Sequence, residues 1–295
     1  VSSSQKQLYY ILKESNIDFY EEGPETKVGP FYVVDCIIPM QQDMKRPLII
    51  EVNGEYWHSL PHVALKDRQK ATYVNRHTDY DLMTIDELEM NNYQQVEYKL
   101  SELGLKLSKI ESKVNDIKIS KISESEAMML YSIFHYSSSI RKGAITYGAF
   151  VNDNLVAAIS YTYPLRRSSA ERLKLELKEV MEISRLARKT NFVCKNFASW
   201  FISKTIKMLS DNVKVVISFS DHTYGHSGTV YKAANFKEDG IIGPDYSYVS
   251  MNGVYHKKTI WDKSKRMKMS ESEYADKHNL LKIYGESKTR WVFLR

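Results

Sequence analysis

The stretch Ala144–Pro164, AITYGAFVNDNLVAAISYTYP, constrains the fold of this 295-residue chain more than any other. Two runs rich in β-branched, aromatic and small apolar residues flank Asn152-Asp153-Asn154. Those turn residues tolerate the left-handed backbone that a tight reversal needs, so two long strands around a turn are expected. The rest of the second half follows suit. A helix is expected over 123–136. Glu176–Arg188 ends in a strand, Lys195–Asp211 has the 3.6-residue apolar period of an amphipathic helix, and Val213–Asp221 is a further strand. A mixed α/β unit results.

The first hundred residues read as a smaller α/β unit. Leu8, Ile11 and Leu12 mark a helix over 4–16. Phe31–Pro39 (FYVVDCIIP) and Pro47–Gly54 (PLIIEVNG) read as two strands, and Ala64–His77 as a helix. Tyr80–Met90 begins as a strand and turns helical, running to about 107. Lys106–Ser120 is polar and Lys-rich, so the expected organisation is a domain over 1–107, a linker over 108–122 and a second domain over 123–295.

Charge divides the same way. Residues 1–107 carry 11 Lys and Arg against 17 Asp and Glu, a net of −6; residues 108–295 carry 31 against 19, a net of +12. A basic domain attracts polyanions, and nucleic acid is the commonest such partner. The last forty residues interleave aromatics with cations, and Lys257, Lys258, Lys265, Arg266, Lys268 and Arg290 are the expected DNA contacts. Cys36 and Cys194 sit in apolar settings, as unpaired thiols in a reducing compartment would. With no apolar run long enough to span a bilayer, and no signal-peptide stretch at the start, a soluble cytoplasmic protein with no membrane association is expected.

Two carboxylates stand out. Asp35 and Glu51 each interrupt an apolar strand, where an ionised carboxylate needs a partner. A hard cation such as Mg2+ between them would serve, and it would polarise a phosphate and activate a water. His58 follows at the strand's end and Asp67 lies early in the next helix, a base and its orienter. These residues resemble the very-short-patch-repair type of endonuclease and related phage homing endonucleases, within the PD-(D/E)XK group. Asp35, Gly54-Glu55-Tyr56-Trp57-His58 and Asp67 carry that resemblance over residues 4–107. It implies a restriction-endonuclease-like fold, with Asp35 and Glu51 holding Mg2+ and His58 as base. Asn53 stands where the wider group has lysine, and the first helix has Ser4-Gln5-Lys6-Gln7-Leu8 where relatives carry a glutamate.

The second half resembles the Mom family of phage DNA-modification proteins, which are GNAT-like and acylate adenine in DNA. The segments EISRLAR, NFASWFISKTIKML and VISFSDHTYGHSGTVYKAANF carry the resemblance over residues 123–265. It implies a cleft lined by Ser220, Asp221, His226, Gly228, Tyr231 and Asn235, with Ser184 and Arg185 on the strand leading in. A GNAT domain grips the CoA pyrophosphate with a glycine-rich loop at a helix N-terminus. Here that loop is TNFVCKN, without glycine, which weighs against acyl-CoA, although Lys195 and the helix terminus still attract phosphate. The leading expectation is therefore a Mg2+-dependent endonuclease that nicks or cuts duplex DNA, with a GNAT-like domain positioning the DNA. The alternative is a Mom-like DNA-modification acyltransferase whose nuclease-like domain serves for docking.

Overall fold

The computed structural model describes residues 2–53, 61–90, 92–137, 139–250 and 253–295. Two compact units emerge: Val1–Thr162 with Ser184–Phe201, and Tyr163–Ile183 with Ile202–Arg295. The fold is mixed α/β in both. No helix among the described residues is long and apolar enough to cross a membrane.

In the first unit, helix α1 (Ser3–Glu14) starts at a capping box in which the Ser2 hydroxyl accepts from the Gln5 amide and the Gln5 side chain accepts from the Ser2 amide. Its apolar stripe, Leu8, Ile11 and Leu12, is fully buried. It packs with strands β1 (Tyr20–Glu21), β2 (Cys36–Ile38), β3 (Leu48–Asn53) and β4 (Asp81–Asp86), which form one sheet in that order. The first three pair antiparallel, with Cys36 opposite Ile50, while β3 and β4 run parallel with Glu51 opposite Thr84. The parallel pair needs a crossover, supplied in part by α2 (Pro61–His77). Helix α3 (Tyr93–Glu102) adds Tyr93, Val96 and Leu100 to the core.

Phe31–Pro39 is not one strand. Tyr32–Val33 and Cys36–Ile38 are separate pieces, and Asp35 sits at a bend between them. Side chains displace the ladder there: the Asp35 carboxylate accepts from the Val52 amide at 2.7 Å, and the Tyr9 hydroxyl donates to the Asp35 carbonyl at 2.6 Å. The expected helix through 107 is likewise broken, into Glu87–Met90 and α3.

The same unit contains β5 (Lys118–Lys121), β6 (Ile145–Val151) and β7 (Asn154–Thr162), paired antiparallel. Asn152 and Asp153 both take positive φ, 48° and 63°, the turn their sequence favours. Helix α4 (Glu124–Phe134) covers the strands through Ala127, Leu130 and Tyr131. Helix α1 also touches this part: Tyr10 meets Phe134 edge-on at 5.0 Å, and the buried Thr190 hydroxyl donates to Gln7 at 3.0 Å. Residues 108–122 lie inside the first unit.

Strand β8 (Val180–Arg188) runs from the second unit into the first. In the second unit Val180–Glu182 pairs parallel with Val215–Ile217 of β9 (Val215–Asp221). That ladder ends there, although each strand continues for several residues. Strand β9 pairs antiparallel with β14 (Lys288–Leu294), which also pairs with β10 (Lys237–Ile242). Between β10 and β14 the chain builds a subdomain of its own. Strands β11 (Tyr246–Ser250), β12 (Gly253–His256) and β13 (Leu281–Tyr284) form a sheet with β11 in the middle. Helices α7 (Lys257–Arg266) and α8 (Glu271–Lys277) close over a core of Tyr248, Ile260, Tyr274 and Ala275.

Candidate active site

Strand β9 ends in Ser218-Phe219-Ser220-Asp221 against β14, with Ser220 opposite Thr289 and Asp221 opposite Lys288. Asp221 is 5 % exposed. Its carboxylate meets Lys288 Nζ at 2.6 Å and accepts from the Thr223 amide at 3.1 Å. It thus balances a cation and starts the turn His222–Tyr224. The backbone then passes Gly225, φ 69°, so that the His226 amide donates to the Asp221 carbonyl at 3.2 Å. Protein packed around the His226 ring lowers its pKa, and the Asp221 carboxylate opposes that shift. The residue keeps substantial contact with solvent. A neutral imidazole at an accessible strand end can accept a proton.

Gly228, φ 75°, caps the short helix α6 (Thr229–Ala233). It lies against the indole of Trp291, which is 1 % exposed. Trp291 Nε1 donates to Ser220 Oγ at 2.9 Å, its ring stacks on Tyr231 at 6.1 Å, and Lys232 Nζ sits 5.6 Å from the ring centre. Ser220 and Tyr231 therefore act through Trp291: they fix the loop that carries Asp221 and His226. Asn235, φ 63°, ends α6 as a turn residue. Trp291 and Lys288 were missed as site residues in the sequence. Only the antiparallel register of β9 and β14, joining positions more than sixty apart, shows them beside the motif.

Ser184 and Arg185 belong to the first unit. Ser184 Oγ donates to the Ser160 carbonyl at 3.1 Å, and Ser160 Oγ is bonded to Tyr131 Oη and Thr146 Oγ1, both at 2.8 Å. The Arg185 guanidinium donates to the Ser139 carbonyl from Nε at 2.7 Å and to Ser139 Oγ from Nη2 at 3.1 Å. Both residues thus brace β8. Following it, the loop Lys189–Asn196 leads into helix α5 (Phe197–Lys207), which has no acidic residue in its first turn. Asn196 takes φ 59°, the left-handed conformation that asparagine tolerates better than other non-glycine residues. The glycine-free loop thus makes its turn without glycine. The expectation that it weighs against an acyl-CoA is corrected accordingly. At the α5 N-terminus the Phe197 amide donates to the Cys194 carbonyl at 3.3 Å, and the exposed Lys195 lies just before it.

A model of the Mom protein family matches residues 116–294. The chain belongs to the Mom protein family. Over 152 residues this Mom-family chain is 29% identical to the methylcarbamoylase Mom of Escherichia phage Mu. The alignment covers 49% of the chain and 62% of that relative, so the chain spans less than two thirds of the relative's length. Among solved structures, similarity extends to a Bacillus subtilis acetyltransferase in complex with CoA, with TM-score 0.38 and 13% identity over 61% of this chain and 97% of that one. It extends also to the IAA acetyltransferase from Bacillus cereus, with TM-score 0.39 and 10% identity over 61% and 99%.

Membership of the Mom family corrects the leading expectation. A family model that covers the second half, and a methylcarbamoylase as relative, overturn the reading of a Mg2+-dependent DNA endonuclease, a hydrolase, with a GNAT-like accessory domain. The first unit supplies a physical reason for the misreading. The protein itself supplies a cation for Glu51 and an amide donor for Asp35. Lys70, one turn after Asp67 on α2, meets Glu51 Oε2 at 2.8 Å, and the Val52 amide serves Asp35. Lys70 offsets part of the charge imbalance on which the Mg2+ expectation rests. Asn53 lies opposite Asp86 in the parallel ladder, and Asp67 adds its field to Glu51. His58 lies outside the described residues. Among the described residues no group of three or more His, Cys, Asp or Glu is placed to hold a metal ion.

Burial pushes the Glu51 carboxyl up to about 7, with Lys70 opposing and Asp35 and Asp67 reinforcing the shift. Burial also raises Asp35. A carboxyl raised on folding binds its proton more tightly in the native state. Its contribution is full below the ordinary value of 4.5 and is lost as pH rises through about 7. The thermal midpoint is expected to fall across that window in the wild type and to fall less in Glu51→Gln. Equal slopes in the two proteins would contradict the assignment.

Proposed function

We propose that this Mom-family chain transfers a methylcarbamoyl or closely related acyl group to the exocyclic amino group of adenine in DNA, with an acyl-CoA as donor. The observation that carries the reading is the loop, inside the family match, that joins His226 to the Asp221–Lys288 pair. When bound, the donor would supply an activated carbonyl. The chain's residues do the rest. His226, neutral at pH 7, takes the proton that the amine loses as it attacks. Asp221 holds the loop and favours the imidazolium that forms. Trp291, through Ser220 and Tyr231, keeps the loop rigid. The net charge of +12 on residues 108–295 supports a polyanionic substrate. The family match begins at residue 116, inside the polar stretch 108–122 that we propose as the border of the transfer domain.

The test is thiol release from acetyl-CoA by the purified chain with duplex DNA. The rate is expected to be flat above pH 7 and to fall only below the ordinary imidazole value of 6.5, because the His226 pKa is lowered. His226→Ala is expected to lower it by roughly 10²-fold or more. A rate indifferent to His226→Ala would rule the histidine out as base.

A further inference from the structure

The subdomain between β10 and β14 separates its charges. Residues 257–268 read KKTIWDKSKRMK, with six cations and one acid, whereas α8 carries Glu271, Glu273 and Asp276 with one cation. On α7, Lys258, Trp261 and Lys265 recur at i, i+3 and i+7 and so share one face. All three are exposed, Trp261 at 48 %. Lys265 Nζ lies 5.7 Å from the Trp261 ring centre. The opposite face, with Ile260 and Ser264, is buried.

Two cations expected to contact DNA are already engaged. Lys257 meets Asp245 at 2.5 Å, and Arg290 Nε meets Asp239 at 2.8 Å. Lys258, Lys265, Arg266 and Lys268 carry no ion pair with the described residues. A helix face with unneutralised cations around a large exposed aromatic matches a polyanion that also offers flat apolar surface.

The base of the subdomain is tied to the candidate active-site loop. The His222 amide donates to the Ser287 carbonyl at 3.2 Å, the Glu286 amide to Thr223 Oγ1 at 2.8 Å, and His222 Nε2 is 2.9 Å from Thr289 Oγ1. The segment that closes the subdomain is thus joined to the turn between Asp221 and His226.

We propose that α7 is the face on which duplex DNA docks. Lys258, Lys265, Arg266 and Lys268 contact backbone phosphates and Trp261 packs on the sugar and base edges between them. The inference rests on the transfer reading only for the identity of the polyanion as DNA.

The test uses the full chain and a fluorescent duplex of about 20 base pairs, titrated across salt concentrations by anisotropy, with adenine modification measured in the same samples. Wild type is expected to bind with a steep salt dependence. Lys258→Glu with Lys265→Glu is expected to weaken binding at least roughly tenfold near 0.1 M salt, and to lower the slope by about 2, one counterion per lysine. Trp261→Ala is expected to weaken binding with the slope unchanged. Lys258→Gln with Lys265→Gln removes charge without reversing it, and is expected to give a smaller loss with the same change of slope. Circular dichroism of each variant is expected to match the wild type. Charge variants that bind as the wild type does, or a wild type that prefers anionic vesicles or an acidic protein, would overturn the proposal. If the duplex binds through α7 but adenine stays unmodified, docking stands and the transfer reading fails. If adenine is modified while the charge variants bind normally, transfer stands and docking fails.

Discussion

Gly228→Ala is expected to destabilise the second unit by roughly 2–4 kcal/mol and to abolish transfer. Two costs add. At φ 75° a side chain strains the backbone by about 1 kcal/mol. The added Cβ would also overlap the indole of Trp291. An aromatic ring cannot give way as a flexible chain end can. Trp291 is buried, donates to Ser220 at 2.9 Å and stacks on Tyr231, so its retreat would break each of these contacts. Overpacking of this kind costs about 1–3 kcal/mol. Whether helix α6 or Trp291 shifts, the loop bearing Asp221 and His226 shifts too. Trp291→Ala in the same background removes the overlap but also the buried indole and its contacts, so neither the thermal midpoint nor the activity is expected to return. An alanine variant as stable as the wild type would show that the glycine is not needed for this close approach.

Asp221→Ala is the second large effect. It removes the carboxylate opposite Lys288 and the acceptor for the Thr223 amide. Breaking a fully buried pair costs about 3–5 kcal/mol. The Lys288 side chain is 31 % exposed and can rehydrate, so the expected loss is smaller, about 2 kcal/mol. Asp221→Asn keeps the amide acceptor and most of the volume, so its thermal midpoint is expected to lie nearer the wild type. Its transfer rate is expected to stay low, because the charge that favours the His226 imidazolium is gone. Should Asp221→Asn transfer at the wild-type rate, the charge of Asp221 would have no part in the chemistry.

These predictions turn on contacts that sequence patterns show unevenly. The β6–β7 hairpin was readable because Asn152 and Asp153 announce its turn locally. The strand and the helix 197–207 were readable from apolar period, and the Ser220–Tyr231 motif from its resemblance. What failed was everything set by partners distant in the chain. Lys288 and Trp291 join the motif only through the register of β9 with β14. Lys257 and Arg290 looked like free cations until Asp245 and Asp239 were found beside them.

The nuclease reading failed for the same reason. Glu51 in an apolar strand posed a real electrostatic problem, and a metal ion is one solution. Lys70, nineteen residues on and on another element, is the partial solution the fold contains. Asp35 was assigned to a strand because its neighbours Val33, Val34, Cys36 and Ile37 all favour one. Its carboxylate instead takes the Val52 amide and breaks the ladder. Short chemical motifs are ambiguous while the charge on facing elements is unknown.

The account stands most directly on nucleoside mass spectrometry of DNA from bacteria expressing the chain. It predicts a deoxyadenosine species heavier by an acyl-type group, present with the wild type and lost with His226→Ala. An unmodified adenine pool, with the folded wild-type protein present in those cells, would contradict it.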